Sequence, residues 1–334
     1  MSSIQRRILE HLAAAGVLLA PGCHEPKPSA TASAPTSPAT SATSTSALTS
    51  AMSAVPMASV TSSSGVPSSK LGQTCTSDAD CGPALFCTLG FDGAHFSKTG
   101  TCTDRPPIYE GRPLLVDGAA RVAALDRAEI PSSDAWTEYF ARAAAEEHAS
   151  VAAFARTICQ LMALGAPLDL LARTQRALAD EIEHTRGCLA WLRSFTPDAR
   201  GPSHALGELP EAAAPIADAS LGLHALARAL LVDVLHGGCV GETLAAEAML
   251  ARAAHAPHPE LATWLERVAD DEARHAALAF ETAAWLVSQR PELAEVVHVE
   301  LAALPPSVSA RIAPLARACG LFDPREGSSA ARVS

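Results

Sequence analysis

The sequence predicts an all-α fold: a four-helix bundle of two antiparallel hairpins with one long crossover, preceded by a disordered linker and a small disulfide-rich module. Three observations predict it. From about residue 132, apolar residues recur at helical spacing in four long stretches punctuated by Pro and Gly. The breaks between these stretches run short, long, short. One pattern, a Glu followed some thirty residues later by Glu-x-x-His, occurs once in each half of that region.

The first helix is expected over about 133–164. Ser132, Ser133 and Asp134 offer N-cap oxygens, and Gly165 with Pro167 ends it. The second runs from about Pro167, whose fixed φ suits a first turn, to Phe195 before Pro197. The third spans about 219–255, stopped by Pro257 and Pro259, and the fourth about 259–290, stopped by Pro291. A shorter apolar segment over 292–304 is expected to pack as a fifth helix, and one more helical stretch follows Pro305. A few residues join the first helix to the second and the third to the fourth, so each pair is a hairpin. Some 23 residues separate the second from the third, enough to cross the bundle end to end.

The repeated pattern is Glu147 with Glu181-x-x-His184, then Glu242 with Glu272-x-x-His275, at Glu-to-Glu gaps of 34 and 30 residues. Glu147 lies about 18 residues before its turn, roughly 27 Å, and Glu181 about 14 to 16 after it, roughly 21–24 Å. The two carboxylates stand near one height. Glu242 and Glu272 each lie about 13 residues from theirs, whereas the rival Glu247 is mismatched by roughly 7 Å. Phase separates Glu147 from Glu146: positions 147, 154, 158 and 161 read Glu, Phe, Ile, Leu and face the core, while 146, 153, 157 and 160 read Glu, Ala, Thr, Gln and fall at its edge. Glu181, His184 and Cys188 share one face of the second helix, and Glu272, His275 and Ala279 or Leu278 one face of the fourth. His148, His236 and Tyr139 fall off these faces.

Carboxylate oxygens and imidazole nitrogens together suit iron or manganese, and a Glu and a His three residues apart on a helix project side by side. Four carboxylates and two imidazoles on four helices match the ligand set of a dinuclear centre. The segments "EEHASVAAFARTICQLMALGAPLDLL", "ADEIEHTRGCLAWL", "GGCVGETLAAEAML" and "VADDEARHAALAFETAAWL" resemble the ferritin-like superfamily, and more closely bacterial ferritin-like domain proteins of poorly defined activity. The resemblance covers about 132–290. It implies Glu147, Glu181, His184, Glu242, Glu272 and His275 as ligands to two Fe ions, alternatively Mn or mixed Fe/Mn. It further implies that Asp180 and Asp271 hydrogen-bond ligand histidines across the bundle.

The first half reads differently. Residues 1–23 carry Arg6 and Arg7, a short apolar run from Leu12 to Ala20, and Ala20-Pro21-Gly22 before Cys23. This resembles a lipoprotein signal, with Cys23 as the lipidation site and a membrane as partner. Residues 24–70 are a Ser/Thr/Ala/Pro linker without a packable face. Within 71–105, Cys75, Cys81, Cys87 and Cys102 follow the spacing C-x5-C-x5-C-x14-C, which lacks the close pairs of zinc ribbons. A segment this short buries little apolar surface, so two disulfides are expected there. Residues 106–131 are a connector with Pro106, Pro107, Pro113 and Pro131. Residues 291–334 form a helical tail. The remaining cysteines, Cys159, Cys188, Cys239 and Cys319, are expected as buried thiols.

Net charge is −11, and no Lys follows Lys98. Nucleic acid is therefore excluded as a partner. The expectation is an exported, lipid-anchored cell-envelope protein whose dinuclear centre performs O2- or peroxide-dependent oxidoreductase or ferroxidase chemistry. The alternative is a surface-anchored binding protein with a structural metal. A homodimer is compatible with either, whereas a storage cage is obstructed by the long N-terminal extension.

Overall fold

The structure, a computed structural model, describes residues 1–17, 73–75, 86–91, 96–103, 111–116, 119–123, 135–199, 201, 206 and 219–321. Four long helical runs make its body. They are α2 (Ala135–Ala163), α3 (Leu168–Phe195), a composite third run, and α6 (Pro259–Gln289). The third run is α4 (Ala219–Asp233), a π-helical segment (Val234–Glu242) and α5 (Thr243–Ala253). These bounds lie close to the expected ones because Pro and Gly stop each helix where local chemistry demands it. Gly165, at φ +75°, closes α2 in the left-handed region, and Pro259 opens α6. Most of the crossover lies outside the described residues.

Helices α2 and α3 pack along their length, as do α5 and α6, so both expected hairpins form. Two apolar clusters fill the interior. One holds Phe154, Leu161, Leu230, Leu231, Leu235 and Phe280. The other is aromatic: Phe140 is wholly buried among Trp136, Trp191, Phe195 and Trp264, with ring centroids 5.9 to 6.5 Å away.

The core extends beyond four helices. After a 3-10 turn (Pro291–Leu293), α7 (Ala294–Ala302) and α8 (Pro306–Ala318) bury Leu293, Val297, Ile312 and Leu315 in the first cluster. They belong to the body, since each presents one apolar face that only the bundle covers. An N-terminal helix, α1 (Ser3–Ala14), does the same with Ile4, Ile8 and Leu12, none more than 1% exposed. Its start is fixed by a capping box: Gln5 N–H donates to Ser2 Oγ at 3.1 Å, and Ser2 N–H to Gln5 Oε1 at 2.6 Å. The Gln5 amide also donates to Arg311 O on α8 at 2.9 Å. Within the stretch read from sequence as a signal, Ser3–Ala14 form a docked amphipathic helix; Leu18, Leu19, Ala20 and Cys23 lie outside the described residues.

Between α1 and the bundle run short strands. β1 (Thr74–Cys75), β2 (Phe86–Phe91) and β3 (Phe96–Thr103) form an antiparallel sheet of order β1-β3-β2, with Cys87 opposite Cys102. Cys81 is outside the described residues, as are the side chains of Cys75, Cys87 and Cys102, and with them the expected disulfides. The connector holds a two-strand ribbon, β4 (Leu115–Val116) with β5 (Ala119–Ala120). The Pro-rich reading missed it, although Asp117-Gly118 between two apolar pairs is a hairpin signal.

Of the other four cysteines, Cys188, Cys239 and Cys319 are buried and free, while Cys159 is free but exposed, against expectation. It lies on the outer face of α2.

Ile8 tests the docking of α1. In the full chain, Ile8→Ala should cost about 2–5 kcal/mol of unfolding free energy, read from the denaturant midpoint. Leu168→Ala, at a side chain 81% exposed, should leave the midpoint unmoved.

Candidate metal centre

The six residues of the repeated pattern converge between the two apolar clusters. Glu147 comes from α2, Glu181 and His184 from α3, Glu242 from the end of the π segment, and Glu272 and His275 from α6. Glu181, His184, Glu242, Glu272 and His275 are 1–3% exposed and Glu147 9%. Their donor atoms fall into two groups, each within 4.8 Å: Glu147, Glu181, His184 and Glu272 in one, Glu242, Glu272 and His275 in the other. Glu272 belongs to both. These side chains form a Glu/His cluster that can hold a metal ion.

The two histidines are held alike. His184 Nε2–H donates to Asp271 on α6 at 3.2 Å, and His275 Nε2–H donates to Asp180 on α3 at 3.2 Å. Arg274 joins the two aspartates, 3.0 Å from Asp180 and 2.7 Å from Asp271. With Nε2 committed outward, each Nδ1 faces the carboxylates. His184 Nδ1 lies 3.3 Å from Glu272 and 3.6 Å from Glu147, and His275 Nδ1 lies 3.0 Å from Glu181 and 3.5 Å from Glu272. Neither Nδ1 has an aligned hydrogen bond. A buried nitrogen with its lone-pair direction aimed at a set of carboxylates is what coordination requires.

The electrostatics say the same. Burial, then the neighbouring Glu181 charge, pushes Glu147 well above the usual carboxylate range. Burial, then Glu272 and Glu181, does so for Glu242. Burial opposes ionisation of Glu272 too, but the two histidines outweigh it and hold that carboxyl low. Burial lowers the histidines, and their Asp and Glu neighbours more than reverse this, raising both well above the ordinary imidazole value. Asp180 and Asp271 are held low because the histidines and Arg274 overcome their burial. Without a cation, the cluster keeps protons that a metal would replace.

The alternatives weighed on sequence fall elsewhere. Glu146 is exposed and paired with Arg142. Glu247 reaches Arg311 at 2.7 Å and Ser2 at 3.2 Å, far from the cluster. His236 pairs with Glu300 on α7 at 2.8 Å. The Tyr139 hydroxyl donates to Met249 Sδ at 3.2 Å, under the Arg252 guanidinium. Burial pushes the Cys188 thiol well above its usual value, and its Sγ is not among the grouped donor atoms of the cluster.

Sequence reasoning missed Arg112. It comes from the connector, is 7% exposed, and places Nε 3.6 Å from Glu242 Oε1. It also explains an error of phase. Ala153 and Thr157, read as the edge of α2, are buried because Leu114 packs on Ala153 and Arg112 reaches Thr157. No periodicity marks a single Arg between a Gly and a Pro.

A narrow pocket leads to the cluster past Tyr139, Arg142, Glu146 and Ser150, with a volume of about 40 Å³. That admits a water-sized molecule. Comparison with protein-family models, with curated proteins and with solved structures returned no match to this chain.

Two outcomes are expected. Because Glu147, Glu242 and both histidines hold protons above their ordinary values, metal uptake should release protons, and affinity should rise with pH and fall as the solution is acidified. Calorimetric titration in buffers of different ionisation enthalpy measures both. Asp180→Asn or Asp271→Asn should weaken metal binding by about 10–100-fold, read by chelator competition.

Proposed function

We propose that the helical body is a ferritin-like four-helix bundle whose cluster binds two iron or manganese ions and reacts with dioxygen or peroxide. One observation carries this reading. Two imidazole Nδ1 atoms, each anchored from behind by an aspartate on the opposite helix, point into four buried carboxylates. A bound cation is the natural complement of such a buried group, because burial of uncompensated carboxylates is costly.

The donor set supports the metal assignment. All six donors are carboxylate oxygen or imidazole nitrogen, the mixture that suits iron and manganese and not a thiolate zinc site. When bound, such ions supply one-electron redox chemistry toward a small oxidant. The chain's own residues do the rest. Glu272 spans the two positions. Asp180 and Asp271 fix the imidazole orientation. The two apolar clusters exclude bulk water. The pocket of about 40 Å³ fits a diatomic oxidant or water at the centre. Ferroxidase-type chemistry, in which iron itself is the reductant, suits that opening best.

Export and acylation at Cys23 belong to the proposal on the sequence signals alone. A specific observation favours the opposite course for the N-terminus: α1 buries Ile4, Ile8 and Leu12, all of which signal removal would discard. Intact mass of the protein from its native membrane or soluble fraction decides. An N-terminus at lipidated Cys23 supports export, and a chain retaining residues 1–22 sinks it.

The metal reading predicts two ions per chain by elemental analysis, with Glu181→Ala and His275→Ala each losing at least one. Aerobic Fe(II) should be oxidised faster than in a protein-free blank, and Glu181→Ala should abolish the difference. Two bound ions without oxidation would make the metal structural. No bound metal in a folded wild-type protein would remove the proposal.

A further inference from the structure

The connector does more than join two parts of the chain. Its Gly111–Leu114 stretch lies against α2 and the π segment, and three contacts hold it there. Gly111 N–H donates to Gly241 O at 2.9 Å, one residue before Glu242. Ser150 Oγ–H donates to Arg112 O at 2.8 Å. Leu114, 3% exposed, packs on Ala149 and Ala153. Gly111 takes φ +74°, a conformation that L side chains rarely adopt, at a point where a Cβ would sit 3.8 Å from Glu242 Oε2.

The effect is to insert one guanidinium into the core. Arg112 stacks over Phe154 at 4.3 Å, and Phe154 in turn meets the His275 ring edge at 5.4 Å. Space for it is made by the π segment. A Cβ at Gly238 would fall 2.6 Å from Arg112 Nη2 and 2.4 Å from Ala279 Cβ. Only a glycine there lets α6 and the guanidinium approach together. Arg112 Nε and Glu242 Oε1 lie 3.6 Å apart, and neither makes a hydrogen bond. The contact is loose and leaves the carboxyl free to turn toward another cation.

Arg112 makes the two halves of the cluster unlike. Arg274 stands behind both histidines, bound to Asp180 and Asp271 alike. Among the cluster's carboxylates, Arg112 pairs with Glu242, which belongs to the Glu242, Glu272 and His275 group. Charge accounting gives it a place. Four glutamates and two aspartates surround the centre, two guanidiniums offset part of that charge, and two divalent ions would offset the remainder.

We propose that Arg112 is a positioning residue that makes the two cation positions unequal: it holds Glu242 in the metal-free protein and opposes the ion on the Glu242 side. The proposal rests on the dinuclear reading above. Like charges at short range in a poorly screened interior repel strongly, so the Glu147, Glu181 and His184 side fills first. The same guanidinium stabilises the metal-free fold, where Glu242 would otherwise be a buried carboxylate without a cation.

Zn(II) and Mn(II), added separately to the metal-free full chain, test this through binding and melting, with no turnover needed. Wild type should take two ions in two separated steps. Arg112→Gln should tighten the second step by about tenfold or more and leave the first in place. The metal-free variant should melt lower, so metal raises its Tm by more than in wild type. Arg112→Lys should return toward wild type. Ser150→Ala keeps every charge and removes only the hydrogen bond to the Arg112 carbonyl; it should shift the second step the same way by less, and it carries the test if Arg112→Gln does not fold. An unchanged or weakened second step in the folded Arg112→Gln protein, or an unchanged one in Ser150→Ala, overturns the proposal and leaves the dinuclear reading standing. A folded wild type that binds neither ion overturns both.

Discussion

Four carboxylates and two imidazoles share one small, buried volume between two apolar clusters, and the surrounding architecture answers that charge. Each group alone would cost several kcal/mol to bury. Together they are tolerable only where protons, guanidiniums or cations balance them. The aspartates on α3 and α6 take the outward imidazole nitrogens, Arg274 ties the aspartates together, and Arg112 answers Glu242. What remains uncompensated points inward, where a metal would be.

That constraint accounts for the least regular backbone in the bundle. The third helical run widens into a π segment over Val234–Glu242 and returns to α-helix just after the ligand-type glutamate. Such segments recur at functional sites because they shift the phase of a side chain relative to its neighbours. Here the segment also carries Gly237 and Gly238, which leave room for the connector. The Gly111 amide takes Gly241 O. An alanine at 238 would put a Cβ against both Ala279 and Arg112.

The periphery follows apolar pairing instead. Helices α1, α7 and α8 pack on the first cluster, and each contributes leucines or isoleucines that are almost wholly buried. Leu12 of α1 therefore serves the core in this structure, although the same short apolar run reads as export chemistry. Both roles need the same physical property, and an amphipathic segment of that length satisfies either.

The sequence by itself determined the helices and their partners. Pro and Gly fix helix ends locally, apolar spacing fixes faces, and connection lengths fix antiparallel pairing. Height and phase, which are simple arithmetic on a regular helix, brought out Glu147, Glu181, His184, Glu242, Glu272 and His275 and set aside Glu146 and Glu247. The resemblance, not this arithmetic, pointed to Asp180 and Asp271 as partners of the histidines, and the structure set the crossed pairing of Asp180 with His275 and of Asp271 with His184. Tertiary structure decided what has no period. Arg112 lies in an irregular strap whose path is set by contacts with α2 and the π segment, more than a hundred residues apart along the chain from Glu242. The β4–β5 ribbon, the burial of Ala153 and Thr157, and the docking of α1 are likewise decided by which surfaces meet, and no local pattern records that.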